Sequence, residues 1–212
     1  METDVVTATP ADRDAVVATV VAAFAADPAF RFFFPDDATY TDHAATYARH
    51  LFDKRVGNGT VWVLADGAVT ALWDLPGEPA SPGRTVVIDA GTPLGALDLP
   101  ADVRARLDRF DAAVHAALPA YPHWYLGILA THPDYAGRRL GRRLMGAGVT
   151  SAHADGYPAV LETMNPSNVE LYQRAGWELY GQTAADDVPT TWVLINRPAV
   201  APDPEQHLRD AA

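Results

Sequence analysis

The stretch of sequence that decides the fold runs from His132 to Tyr172 and begins HPDYAGRRLGRRLMGAG. It predicts a turn that leaves a strand and opens an arginine-rich helix. Apolar residues recur on one face of that helix, at Leu140, Leu144 and Ala147. The apolar run at 160–163 then predicts a further strand. The order strand, turn, helix, strand predicts an α/β (α+β) domain.

The turn before this helix has the properties of an anion-binding site. Backbone N–H groups at a helix start are unpaired, and the helix dipole makes that end positive. Four arginines lie within six residues, at Arg138, Arg139, Arg142 and Arg143. A solvated helix face is the alternative interpretation of these arginines. The segment contains neither GxxxxGK[ST] nor GxGxxG, so a standard nucleotide fingerprint is excluded.

Composition limits the classes of function. The 212 residues suffice for one domain with a sizeable core. The chain has no cysteine, which excludes disulfides, thiolate metal sites and a cysteine nucleophile. A net charge of −11 opposes general binding to nucleic acid or to an anionic membrane. The acidic start at residues 1–4 does not resemble a signal peptide, and no apolar run reaches membrane-spanning length, so we expect a cytoplasmic protein.

The remaining patterns predict one domain over 1–198, with a long irregular connection at 76–100 and a flexible tail at 199–212. The first predicted helix begins after a cap at Thr9 and ends at Asp27-Pro28. Further helices are predicted over 40–56, 102–118 and 168–175. Predicted strands cover 5–9, 60–65, 68–75, 121–130, 160–163, 177–182 and 191–196. The strand at 121–130 is apolar on both faces in its second half, which indicates a central position in the sheet.

Two further groups of side chains need an interpretation. The aromatic run Phe30, Phe32, Phe33 and Phe34 predicts either core packing or the lining of a pocket. His43 and His50 share a helix face with Tyr47 but lack a third ligand in a strong motif, so we expect no metal site.

The segment 126–178 resembles the GCN5-related N-acetyltransferase (GNAT) superfamily. The acetyl-CoA loop of that family has Gln or Arg, two residues, Gly, one residue, then Gly or Ala. Here Ala136 and Arg139 depart from the first two anchors, and Gly141 matches the last. The following strand and helix, LETMNPSNVELY at 161–172, and the exit RAGWE at 174–178 match more closely. Over nearly the whole chain the resemblance is closest to puromycin N-acetyltransferase and its relatives.

The resemblance implies a mixed, mostly antiparallel sheet of about seven strands flanked by helices, with two splayed parallel strands at its centre. It implies acetyl-CoA as co-substrate and no metal. The cofactor-binding residues that it implies are Leu129, Ala130, Thr131, Gly137, Arg138, Arg139, Leu140, Gly141, Arg142 and Asn168. Partners would then be acetyl-CoA and a small-molecule amine, without nucleic acid or membrane, in a monomer or homodimer.

Acetyl transfer to an amine needs a neutral amine, a polarised carbonyl and a protonated leaving thiolate. In the resembling family a tyrosine at the position of Tyr172 acts as the general acid. A capped helix with a packed tyrosine is the alternative for Tyr172. Glu162, at the end of an apolar strand, either binds the amine and relays its proton or belongs to a buried ion pair. His123 is a weaker candidate base.

The predicted acceptor pocket combines aromatic residues with the acidic one: Phe30, Phe34, Trp124, Tyr125 and Glu162. Such a pocket suits an aromatic or amphipathic amine. The resemblance to puromycin N-acetyltransferase implies an antibiotic-like amine. Three alternatives stay open. The chain could be a degenerate acyl-CoA-binding domain, a protein or peptide N-acetyltransferase, or a nucleic-acid-associated protein that uses its arginine face.

Overall fold

A seven-stranded sheet lies at the centre of the protein, as a computed structural model describes it over residues 4–76, 94–183 and 185–199. The strand order is β1-β2-β3-β4-β5-β7-β6, and all neighbours run antiparallel except β4 and β5. The strands are β1 (Val6–Thr7), β2 (Val61–Leu64), β3 (Val69–Asp74), β4 (Trp124–Thr131), β5 (Ala159–Thr163), β6 (Glu178–Gln182) and β7 (Trp192–Asn196). This confirms the predicted fold class.

Helices cover both faces of the sheet. They are α1 (Arg13–Ala23), α2 (Pro28–Phe33), α3 (Tyr40–Val56), α4 (Ala101–Ala117), α5 (Leu140–Ala154) and α6 (Pro166–Arg174). The first four pack with β2, β3 and β4 into one apolar core, and α5 and α6 pack into a second core on the opposite face. None of the helices in the described part of the chain is long and apolar enough to cross a membrane.

Several element boundaries differ from the sequence prediction. Asp27-Pro28 begins α2 rather than only ending α1, because the Asp27 carboxylate accepts the N–H groups of the first turn. Helix α6 begins at Pro166, two residues earlier than predicted, because the Asn165 side chain accepts the N–H of Ser167 at 3.0 Å. Strand β4 begins at Trp124 and its buried residues alternate, so its second half is not buried on both faces.

Some predictions fall outside the described residues. Most of the connection predicted at 76–100, including its apolar run at 86–88, is among them. So is the tail from residue 200 onward.

A β-bulge and a short parallel ladder together open the sheet. The register of β3 and β4 passes from Leu72–Ile128 to Trp73–Leu126, so Gly127 is an extra residue on β4. Pairing between β4 and β5 ends at Leu126–Leu161, although β4 continues to Thr131. Because the two parallel strands are unpaired beyond this point, the β5-facing edge of β4 borders a gap in the sheet.

Helix α5 approaches the sheet closely at a glycine. Trp73 is fully buried on β3, and a Cβ added to Gly148 would lie 2.1 Å from its ring. Real side-chain contacts do not reach that distance, so the indole and the helix fit together only if residue 148 has no side chain. This contact sets the distance between α5 and the sheet, and therefore the position of the α5 N-terminus.

Gly148→Ala is therefore expected to destabilise the protein by about 2 kcal/mol or more, because Trp73 or the helix must move. Gly146→Ala on the same helix is the matched control: nothing lies within 4 Å of its added Cβ. That variant should be neutral or stabilising by up to about 1 kcal/mol. Urea denaturation of the two variants measures the difference. Equal stabilities would contradict the assigned contact.

Candidate active site

The gap between β4 and β5 is part of a cavity of about 1080 Å³. Its lining includes the α1–α2 junction, α3 and the loop that precedes α5. The residues predicted for the cofactor that line it are Leu129, Thr131, Gly137, Arg139, Leu140, Gly141, Arg142 and Asn168. The two candidate catalytic residues, Glu162 and Tyr172, line the same cavity. The predicted site residues therefore converge, although they come from four separate elements.

The loop before α5 is held against the end of β4. A Cβ added to Gly141 would lie 3.0 Å from the Thr131 hydroxyl, so a glycine is needed for this close approach. Within the described residues, the backbone N–H groups of Leu140, Gly141 and Arg142 have no hydrogen-bond acceptor. They form an unpaired helix N-terminus beside the cavity, as the sequence predicted.

Arg139 occupies the N-cap of α5 with φ +58° and ψ +17°, the left-handed conformation. An arginine there is strained, since a Cβ in this region costs about 1 kcal/mol that glycine does not incur. The departure from the glycine of the resembling family therefore has a conformational cost. It also adds a cation, because the Arg139 side chain lines the cavity.

The four arginines of this segment have different environments. Arg138 donates to the backbone oxygen of Asp134 at 3.1 Å and lies over the Tyr135 ring. Arg143 pairs with Asp4 at 3.7 Å. Arg139 and Arg142 line the cavity without an ion-pair partner in the described ranges. The last two are therefore the cations available to an anionic ligand in the cavity, whereas Arg138 does not line it.

Glu162 is an acidic group in an apolar setting. It follows the apolar residues 159–161 of β5. Its Oε2 atom is buried and has no hydrogen-bond partner among the described residues. Burial raises the pKa of Glu162 to about 7, while the Tyr125 phenol and, from farther away, Arg55 act to lower it. A carboxylate that changes charge near neutral pH suits a general base.

Tyr172 lies on α6 with its ring 6.1 Å from that of Trp177. Burial raises the pKa of Tyr172 to about 12, and Glu162 adds to the shift. The phenol therefore stays protonated across the physiological range and can always donate a hydrogen bond. Asn168, one turn earlier, is held by a contact of its amide with Thr163 Oγ1 at 3.4 Å.

Five aromatic rings form the wall of the cavity on the α1–α4 side. This aromatic wall consists of Phe24, Phe30, Phe33, Tyr47 and Phe110. Neighbouring rings touch, with centroid distances of 4.5 Å between Phe24 and Phe30 and 4.9 Å between Phe33 and Phe110. Both interpretations of the phenylalanine run are therefore correct in part, because the same rings are core and cavity lining.

Some predicted site residues lie elsewhere. Phe34 is 1% exposed and packs inside the α1–α4 core, and Trp124 lies in the opposite core with its ring 6.0 Å from Trp73. Neither residue lines the cavity. Ala130 is 1% exposed in the α1–α4 core and does not line the cavity either. Tyr125 does not line the cavity, but it interacts with Glu162, which does.

The sequence did not identify Tyr47, Phe110 or Asp27 as cavity residues. Tyr47 shares a helix face with two histidines, and no local pattern indicates that this face meets the site. His123 is hydrogen-bonded to the Tyr121 carbonyl at 2.8 Å, burial lowers its pKa, and it lies outside the lining. The described residues contain no cluster of three potential metal ligands.

The strained loop can be tested with two substitutions of Arg139. Both Arg139→Ala and Arg139→Gly remove the charge, but only glycine removes the left-handed strain. We expect the glycine variant to be more stable than the alanine variant by about 1 kcal/mol. Thermal or urea unfolding measures the difference. An alanine variant as stable as the glycine variant would contradict the left-handed conformation.

The buried charge of Glu162 predicts a pH-dependent stability difference. The folded pKa of about 7 exceeds its ordinary value of 4.5, so ionisation of Glu162 destabilises the fold. Glu162→Gln should therefore be more stable than wild type above pH 7, by on the order of 2 kcal/mol, with no difference below pH 4.5. Glu170→Gln, an exposed control on α6, should show no such trend. A difference independent of pH would contradict the buried ionisable group.

Comparison with known proteins gives the same fold. An acetyltransferase described as histone acetyltransferase HPA2 and related acetyltransferase, from Corynebacterium glutamicum, is 24% identical over 94% of this chain and 98% of its own, with TM-score 0.64. A mosquito arylalkylamine N-acetyltransferase-like protein is 15% identical over 91% and 98%, with TM-score 0.56. An agmatine N-acetyltransferase is 16% identical over 91% and 98%, with TM-score 0.55.

The model of the acetyltransferase (GNAT) family matches residues 26–177. This region contains four of the five rings of the aromatic wall (Phe24 precedes it), the loop before α5, Glu162 and Tyr172. The match and the arrangement of the cavity agree, and the chain belongs to the GNAT family of acetyltransferases.

Proposed function

We propose that the protein transfers the acetyl group of acetyl-CoA directly to a primary amine of a small molecule with an apolar or aromatic body. The observation that carries this proposal is the shared cavity. An unpaired helix N-terminus, the aromatic wall, Glu162 and Tyr172 all line this one cavity. GNAT enzymes use acetyl-CoA as co-substrate.

The residues present fit acetyl-CoA. The free N–H groups at the start of α5 and the side chains of Arg139 and Arg142 suit the pyrophosphate. The unpaired edge of β4 at 129–131 suits the amide groups of the pantetheine arm. In this proposal Asn168 holds the cofactor near the thioester.

The proposed reaction is a single displacement. The amine nitrogen attacks the thioester carbon, the C–N bond forms and the C–S bond breaks. Glu162 accepts the proton that the amine nitrogen loses, directly or through water. The Tyr172 phenol donates a hydrogen bond to the sulfur, which departs with the C–S electron pair as a thiolate and takes its proton from solvent. Because the pKa of Tyr172 exceeds the roughly 8.5 of a thiol, the phenol acts mainly as a hydrogen-bond donor until charge develops on the sulfur.

The aromatic wall supports an acceptor with an apolar body. Contact between these rings and an apolar acceptor removes apolar surface from water, and the faces of aromatic rings attract an ammonium cation. The resemblance to puromycin N-acetyltransferase leads us to favour an antibiotic-like or aromatic amine. A protein N-terminus or lysine is the competing acceptor. A screen of free amines and peptides with detection of released thiol distinguishes the two.

The proposal predicts separate effects for the two candidate catalytic residues. Tyr172→Phe should lower kcat by about 10²-fold and leave the Kd for acetyl-CoA within about twofold, because the phenol acts on the leaving sulfur. Glu162→Gln should lower kcat/KM by a similar factor and abolish the loss of activity that we expect in wild type as pH falls through 7.

The matched controls are Tyr180→Phe and Glu170→Gln, which change exposed residues of the same types. Both should behave as wild type. If Tyr172→Phe has unchanged turnover, Tyr172 takes no part in the reaction. If the activity of Glu162→Gln still falls as the pH drops below 7, that fall reflects protonation of the acceptor amine and not of Glu162.

The strained Arg139 favours a second candidate, an acyl-CoA-binding domain without transferase activity. Calorimetric titration with acetyl-CoA and the amine screen separate the candidates. Binding with thiol release supports the transferase, and binding without release for any amine supports the second candidate. No binding at millimolar acetyl-CoA would contradict both.

A further inference from the structure

The described part of the cavity lining contains two carboxylates, Glu162 and Asp27. Asp27 lies at the junction of α1 and α2 and is the N-cap of α2. Its Oδ1 atom accepts the N–H groups of Ala29 at 2.9 Å and of Phe30 at 3.4 Å. Its other oxygen, Oδ2, has no hydrogen-bond or ion-pair partner among the described residues. The carboxylate is therefore held in one orientation, with one oxygen available to a ligand.

The capping role does not by itself require a charge at residue 27. Serine and asparagine cap helices as well as aspartate does. Burial raises the pKa of Asp27, because the surroundings disfavour its charge, while the two N–H groups act in the opposite direction. No basic side chain in the described ranges pairs with Asp27 to offset that cost. A cationic ligand would supply the missing counter-charge.

Two rings of the aromatic wall belong to residues that are hydrogen-bonded to Asp27. The Asp27 N–H donates to the Phe24 carbonyl at 3.0 Å, and the Asp27 carboxylate accepts the N–H of Phe30. The Phe24 and Phe30 rings are 4.5 Å apart, and both line the cavity. One turn of the chain therefore brings a carboxylate and two aromatic side chains to the same region of the lining. This combination suits an organic ammonium group, because aromatic faces attract a cation and also contact its alkyl groups.

The other charges of the lining leave both carboxylates to the acceptor. Three arginines line the cavity, at Arg139, Arg142 and Arg174. The first two belong to the segment proposed to hold the pyrophosphate, and Arg174 pairs with Glu170 at 3.5 Å. The Oε2 atom of Glu162 is buried and unpaired within the described residues. The lining thus presents two carboxylates from two separate elements, and neither has an ion-pair partner in the part of the chain that the structure describes.

We propose that Asp27, with the rings of Phe24 and Phe30, binds a second positively charged nitrogen of the acceptor, and that the preferred acceptor is therefore a diamine. Glu162 serves the nitrogen that is acetylated, and Asp27 holds the nitrogen that is not. This inference rests on the proposed acetyl transfer and names the class of its acceptor. The two carboxylates suit these roles, because two N–H groups stabilise the charged form of Asp27 and none reaches Glu162 Oε2 from the described residues.

The experiment compares two primary amines that differ only in a second charge. The first, para-(dimethylaminomethyl)benzylamine, carries a tertiary ammonium group at neutral pH. The second, para-isobutylbenzylamine, has carbon in place of that nitrogen. Each compound has one nitrogen that forms a stable amide, and both have the same aromatic body. The ratio of their kcat/KM values, measured on the full chain with acetyl-CoA, reports recognition of the second charge.

Asp27→Asn is the first variant, because asparagine keeps the cap of α2 and removes the charge. Asp36→Asn is the matched control. Asp36 is an exposed carboxylate that accepts the N–H of Ala38 at 2.9 Å, and it lies outside the cavity lining. Phe24→Leu is a second variant that leaves the carboxylate in place and removes one ring face.

We expect wild type to prefer the charged acceptor by about tenfold or more, the gain of a charge-assisted hydrogen bond. The ratio should fall to about one in Asp27→Asn and remain at the wild-type value in Asp36→Asn. Phe24→Leu should reduce the preference about threefold, because leucine keeps the apolar contact without attracting the cation. Damage to the fold would lower both rates and leave their ratio unchanged, so the ratio separates recognition from stability.

Calorimetric titration of the charged amine, with coenzyme A present, gives a readout that does not depend on turnover. Asp27→Asn should weaken its Kd about tenfold. A wild type without preference for the charged acceptor, or a preference that persists in Asp27→Asn, would overturn the inference and leave the proposed function intact. A Kd that depends on Asp27 without acetyl transfer in wild type would instead reject the proposed function and support the cation site.

Discussion

The parallel pairing of β4 and β5 ends after Leu126 and Leu161, and most features of the protein depend on that point. The bulge at Gly127 lies at the same level, so the backbone edge of β4 beyond it has no partner from β5. Unpaired backbone groups inside a protein are costly unless a ligand or water satisfies them. An extended ligand with amide groups suits this edge, and the family to which the chain belongs uses such a ligand.

Two glycines place the helix that completes the binding site. Gly148 lets α5 approach Trp73, and Gly141 lets its first turn approach Thr131. The unpaired N–H groups of α5 consequently border the same cavity as the gap. The strain at Arg139 is local to this region, where a functional role gives a reason to retain it.

The other side of the gap combines apolar rings with a few charges. Glu162 is buried against this surface, and its raised pKa is the energetic consequence. An amine acceptor needs this combination, because it arrives as a cation and must react as a neutral nucleophile.

Local patterns predicted the succession of strand, turn, helix and strand around the loop and the helix over 40–56. Tyr172 was singled out by the family resemblance and Glu162 by its place after an apolar run, and both line one cavity. Local patterns could not predict which face of an apolar element meets the cavity. Trp124 and Phe34 were assigned to the acceptor pocket but lie in opposite cores. Tyr47 was not identified as a cavity residue. Arg55 gave no local signal either, because its charged partner Asp74 is 19 residues away in the sequence.

A crystal structure of the complex with acetyl-CoA tests the central claim most directly. The account predicts the pantetheine arm between β4 and β5 with hydrogen bonds to the backbone at 127–131, the pyrophosphate at the start of α5, and the sulfur beside the Tyr172 hydroxyl. A ligand bound outside this gap, or a β4–β5 ladder that closes beyond Leu126, would contradict it.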